Sequence, residues 1–167
     1  MRLPSHHQGE HRDSARRKAR QQAPNRAPRH EPLMTDTAKE IELISDSLEL
    51  YAERHGDMAP RLYERFFELN PEAAALMEYS DEHMRGRMLA SMLELFLSDE
   101  HLGPGGYLDW ELENHIKAYS ATTAMYESLF QSMRDLLDND LGTDWRPEWQ
   151  EAWATRIDRI MAQIRQF

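Results

Sequence analysis

Cysteine is absent from this 167-residue chain. That excludes disulfides, thiol catalysis, zinc–thiolate centres and iron–sulfur clusters. No apolar run approaches the roughly 20 residues of a membrane span. No segment alternates apolar and polar residues as a half-buried strand does. Charge is scarce in one sign at each end. Residues 1–33 carry eight Arg/Lys against three Asp/Glu, and residues 34–167 carry twelve against twenty-seven. The tail is therefore about +5 and the body about −15. A body that acidic argues against nucleic-acid binding and for a soluble, cytoplasmic protein.

The first 34 residues read as a disordered basic extension. They are rich in Arg, Gln, Pro and His, with few large apolar side chains to offset the entropy of ordering. Arg16-Arg17 is followed by no apolar stretch, so it does not read as an export signal, and Glu10, Asp13 and Glu31 interrupt any organelle presequence. Met34-Thr-Asp-Thr reads as a natural start, which makes the tail the product of an upstream start codon. The functional alternative is a basic arm that touches nucleic acid or an acidic partner.

The body is rich in what packs: the four Trp, most of the ten Met and many Leu. From Thr35 onward every long segment has helical periodicity. Asp36 or Thr37 caps a first helix with Ile41, Ile44, Leu48 and Tyr51 on one face. His55-Gly-Asp57 separates it from a second helix bearing Leu62, Tyr63, Phe66 and Phe67, with Pro60 in its first turn. Asn70-Pro71 breaks that helix, and residues 71–77 form a short turn of helix. A further helix starts at Ser80-Asp81 and runs to about Ser98, with Met84, Met88, Leu89, Met92, Leu95 and Phe96 on its apolar face. Gly103-Pro-Gly-Gly106 is a loop. Three segments follow: a helix around Leu108–Tyr119 carrying His115, a long helix over Ala121–Asp138, and a last one from about Pro147, capped by Thr143 or Asp144. About seven unequal helices without a repeat make an all-α domain, and helices crossing steeply can enclose a cofactor.

The order of landmarks resembles the globins, in particular bacterial single-domain globins and the haem domain of flavohaemoglobins. The resemblance covers residues 40–164. It rests on Arg61-Leu-Tyr-Glu-Arg-Phe-Phe-Glu-Leu-Asn-Pro-Glu72, on His115 with Tyr126 eleven residues on, and on Leu141-Gly142 followed by Trp149-Gln-Glu-Ala-Trp153. It implies a globin fold over residues 35–167 with haem b (iron protoporphyrin IX) as cofactor. His115 stands where globins place the proximal iron ligand. Tyr63 stands where bacterial globins carry a distal tyrosine, and as a plain core aromatic it would show the same spacing. Met77 takes the place of a phenylalanine that stacks on haem, and its thioether fills that space without stacking. Met84 takes the place of a frequent glutamine, Met88 lies a turn further on, and Arg87 or Lys117 pairs with a propionate. A one-residue shift would put His83 over the iron instead. Periodicity disfavours that register, because it would turn Arg87 inward unpaired.

Glu111, one turn before His115, is expected in solvent. The acid that flavohaemoglobins place on the last helix corresponds to Thr155, so only Tyr126 of their proximal set is evident. The implied function is reversible binding of O2, NO or CO, for O2 transport or for NO detoxification. With the chain ending at Phe167, turnover calls for an external reductase. The alternative is a globin-fold regulatory or interaction module that has lost haem. The protein is expected as a monomer or as a homodimer formed through its last two helices, with Trp149 or Trp153 at the contact or in the core.

Overall fold

The computed structural model describes residues 35–167, so the expectations for the basic tail lie outside the described residues. Seven α-helices and one 3-10 turn, with no strand, make up the described residues. They are α1 (Asp36–His55), α2 (Ala59–Leu69), α3 (Pro71–Leu76), α4 (Glu82–Leu97), α5 (Tyr107–Tyr119), α6 (Thr123–Leu141), the turn Gly142–Asp144, and α7 (Pro147–Ile164). The all-α reading holds. Among the described residues no helix is long and apolar enough to cross a membrane.

Helix ends follow from local chemistry. Thr35, not Asp36 or Thr37, caps α1 by accepting from the Ala38 amide at 3.2 Å, which frees Asp36 to sit in the positive first turn. Asn70 closes α2 with its backbone and opens α3 with its side chain, whose Oδ1 accepts from the Ala73 amide. Asp81 caps α4 through the Met84 amide. The long helix α6 starts two residues later than expected, at the Thr122 cap, and runs on to Leu141. It gains that last turn because Leu141 is buried. Neither Thr143 nor Asp144 caps α7. Both belong to the 3-10 turn, and α7 begins after Arg146, whose guanidinium lies 4.3 Å from the Trp149 ring centroid.

The core is aromatic at its centre. Phe96 of α4 meets Phe130 of α6 edge-on at 5.5 Å and Trp153 of α7 at 4.8 Å. Each such side chain contributes about 1.5–3 kcal/mol by leaving water. Trp153 also needs a partner for its indole N–H, and Ser47 of α1 provides one at 2.9 Å. Trp149 and Trp153 are both fully inside the protomer, so neither is free for a subunit contact. Helix α2 packs along α6, with Arg65–Asp135 at 2.8 Å and Arg61–Asp140 bridging the two.

One charge lies wholly inside. Arg156 of α7 is fully buried, and its guanidinium donates to the Leu95 carbonyl (2.8 and 3.1 Å), to the Ser98 carbonyl (2.7 Å) and to Asp99. Those carbonyls are the unsatisfied end of α4, where a cation is also favoured by the helix dipole. Glu40 of α1 lies 3.7 Å away and is held in turn by Arg159. Three helices meet at this one side chain. Replacing Arg156 by Met strips the α4 terminus of its donors and is expected to destabilise the fold by about 3 kcal/mol in urea titrations. Arg159→Met, at an exposed side chain, should cost about 1 kcal/mol or less.

Candidate functional site

The helix that carries His115 is placed by its own N-terminus. Gly106 precedes it where an added Cβ would come within 2.8 Å of the His101 carbonyl oxygen, so no other residue fits without movement. Gln163 of α7 grips the loop from below. It accepts from the Gly103 amide at 3.0 Å and donates to Asp109 at 2.6 Å, and Asp109 in turn accepts from the Gly105 amide. At the other end α5 stops at Ser120, whose left-handed φ of 58° lets the Ala121 amide return to the His115 carbonyl. His115 thus sits on a helix pinned at both ends.

Beside it lies a cavity of about 510 Å³ walled by α2, α3, α4, α5 and α6. That is within the usual size of small-molecule and cofactor pockets. Its lining is mostly apolar, with Phe66, Leu76, Met77, Met84, Met88, Met125 and Leu129 among the walls. Its polar side chains are Tyr63, Ser80, Asn114, His115 and Tyr126, with Tyr79 and Tyr119 at the rim. Leu76, Tyr79, Met84, Met88 and Tyr119 are exposed on this rim.

The imidazole is oriented from one side. His115 Nδ1 and the Tyr126 hydroxyl are 2.9 Å apart. Burial lowers the His115 pKa, which keeps the ring neutral near pH 7 with one nitrogen lone pair free. The nearest carboxylate oxygen to Nε2 is Glu111 Oε1 at 4.0 Å, beyond hydrogen-bonding distance. In the tautomer whose Nδ1–H donates to the Tyr126 oxygen, Nε2 carries the free lone pair and has no protein partner.

Tyr63, which also lines the cavity, is buried, and burial raises its phenol pKa to about 12. It is therefore protonated, and able to donate, near pH 7. Its hydroxyl has no protein partner among the described residues, and the one fully enclosed unpaired polar atom is Trp149 Nε1. The Tyr63 hydroxyl thus opens into the cavity.

The expected site residues divide into two groups. Tyr63, Met77, Met84, Met88, His115 and Tyr126 share the cavity. His83 and Arg87 are exposed on α4 and do not line it, and Lys117 is exposed and paired with Glu113. Thr155 is exposed on α7. Glu111 corrects the expectation of a solvated acid. Its side chain is 18 % exposed, because residues four apart share a helix face and that face is inward. Burial, and then the charge of Glu94, raise its pKa.

Arg85 escaped the sequence reading. Its guanidinium lies 5.0 Å from the Phe67 ring centroid and 6.0 Å from that of Tyr63, and its Nε donates to Ser80. Helical phase put it on a flank, and nothing in the sequence shows which neighbouring helix that flank meets.

Among the described residues no group of three or more His, Asp or Glu is placed to hold a bare metal ion. A metal held by His115 would have to arrive inside a group that brings its other ligands. No family model matches the chain, and no curated protein matches it.

The inward Glu111 makes stability depend on pH in a defined direction. A carboxyl whose folded pKa is raised binds its proton more readily folded than unfolded, so ionisation above that pKa disfavours folding. Glu111→Gln is expected to raise the urea midpoint at pH 7.5. The gain should vanish toward pH 4, below the ordinary carboxyl value, where both states are protonated. His115 acts in a separate window. With its folded pKa lowered, stability falls as pH drops below about 6.5, the ordinary imidazole value, and His115→Gln should flatten that fall.

Proposed function

We propose that the chain is a haem-binding globin that reversibly takes up a diatomic gas. The observation that carries this reading is a single neutral imidazole, Nδ1 anchored by Tyr126 and Nε2 unengaged, on the wall of an apolar cavity whose other wall presents a free phenol. The helix order and the resemblance of residues 40–164 to globins support it. Haem, when bound, supplies an iron with a position open to O2, NO or CO.

The chain's residues have separable parts in this reading. His115 is the iron ligand, and Tyr126 fixes its ring and its tautomer. Tyr63 donates a hydrogen bond to a gas that gathers negative charge on its outer atom. Met77 gives the wall flexible, polarisable apolar surface, and Met84 and Met88 extend that surface to the exposed rim. The propionates would be held at the exposed rim, where Arg87 is exposed and Lys117 would have to exchange Glu113 for them. Conversion of NO to nitrate would draw electrons from a separate reductase.

A second reading keeps the cavity and discards the haem: a module that holds another apolar ligand or a protein partner. What favours it is the acid beside His115 and a methionine, Met77, where an aromatic would stack. Absorption spectra of the protein mixed with haemin, then reduced, then exposed to CO decide between the two. A sharp Soret band that shifts with CO, is lost in His115→Ala and returns with added imidazole is expected. Wild-type protein that stays colourless sinks the haem reading.

The Tyr63 hydroxyl has its own test. Tyr63→Phe removes one donor from a low-dielectric site, worth about 1.4 kcal/mol, so O2 release measured by stopped flow should speed up about tenfold. CO release, which depends little on a donor, should change far less.

A further inference from the structure

Arg85 is a half-buried cation with no carboxylate partner among the described residues. Its one side-chain hydrogen bond runs from Nε to the Ser80 hydroxyl at 2.9 Å, and Ser80 donates to the Met77 carbonyl at 2.7 Å. The guanidinium is thereby drawn back over α2, against the rings of Phe67 and Tyr63, which are themselves 5.8 Å apart. An arginine free to reach water is held instead on two aromatic rings, one of which carries a buried phenol that lines the cavity without a partner among the described residues.

We propose that Arg85 is a positioning residue for Tyr63: its fixed positive charge orients the ring and strengthens the phenol as a donor, biasing the cavity toward ligands with negative charge on the atom facing Tyr63. The chemistry is that of a preorganised charge aimed at a hydrogen-bond donor. A cation near the ring stabilises electron density on the phenol oxygen, so the O–H bond is more polar and its hydrogen a better donor. The Ser80 and Met77 contacts keep the guanidinium from swinging to solvent, which is what separates a tuning charge from a mobile surface one. Burial of Tyr63 opposes this effect, and the nearby Arg85 charge is the one influence that lowers its pKa. The ligand preference rests on the gas-binding reading of the cavity, whereas the coupling of Arg85 to Tyr63 does not.

The test uses the full chain with 3-fluorotyrosine at position 63, titrated by fluorine NMR without haemin. Arg85→Gln is expected to weaken phenol acidity by roughly threefold to tenfold, as for one charge about 6 Å away in a half-solvated site. Arg85→Lys should recover most of it. Ser80→Ala should give an intermediate loss with a broadened resonance, since the guanidinium is released. A purely structural Arg85 would alter the chemical shift in both Gln and Lys variants and leave the titration where it was. That result overturns the proposal, as does a titration unchanged in Arg85→Gln protein that circular dichroism shows to be folded. The second arm loads the same variants with haemin and titrates fluoride, an acceptor, against imidazole. Severalfold weaker fluoride with unchanged imidazole supports the ligand bias, and equal changes in both overturn it. Failure to take up haemin defeats the gas-binding reading and leaves the fluorine titration to decide the coupling.

Discussion

The buried guanidinium of Arg156 is the constraint on which the arrangement of α1, α4 and α7 depends. A charge so deep is tolerated only when every donor is used, and here the acceptors are the terminal carbonyls of α4 together with Asp99. The C-terminus of α4 can therefore lie in only one place against α7. Glu40 draws the start of α1 to the same point. The aromatic cluster of Phe96, Phe130 and Trp153 supplies bulk free energy nearby but little direction, since apolar contact is non-directional. Direction comes from the polar contacts, Arg156 above all.

With one end of α4 fixed, its other end is free to stand away from α5, and the cavity is the result. Leu89, Met92, Leu95 and Phe96 are buried, while Met84 and Met88, earlier on the same helix, face open space. A close-packed interior does not leave about 510 Å³ unfilled along an apolar wall without loss of dispersion contacts. The cavity's lining is mostly apolar, which suits a ligand that is itself mostly apolar.

Around His115 the electrostatics pull in opposite directions. Burial favours the neutral form of the His115 ring and also raises the pKa of Glu111, the carboxylic acid one turn away. Tyr126 anchors the ring without adding charge, because burial also raises its own pKa. Arg85 places a full positive charge beside the Tyr63 ring.

Much of this was legible in the sequence, because helices are local. Periodicity, Pro60 and Pro147 in first turns, Asn70-Pro71 and the glycine loop at 103–106 mark the elements to within a few residues, and capping by Thr35 or Thr122 shifts them only at the ends. The face shared by Met84, Met88 and Met92 follows from 3.6 residues per turn, and so does the exclusion of His83 from that face. What sequence could not decide is which faces meet. Glu111 was expected in solvent because acids usually are, and it is inward because it shares a face with His115. Trp149 and Trp153 could have served an interface, and the packing of α7 against α1 and α6 encloses both. Periodicity assigned no role to Arg156 or Arg85, and one is the polar centre of the core while the other lies beside the Phe67 and Tyr63 rings. The chain alone determined the helices and their amphipathic stripes, since these depend on neighbours three and four residues away. Only the tertiary structure decided the charges inside and the cavity, because both depend on residues distant in sequence, as Tyr63 is from Arg85 and Glu40 from Arg159.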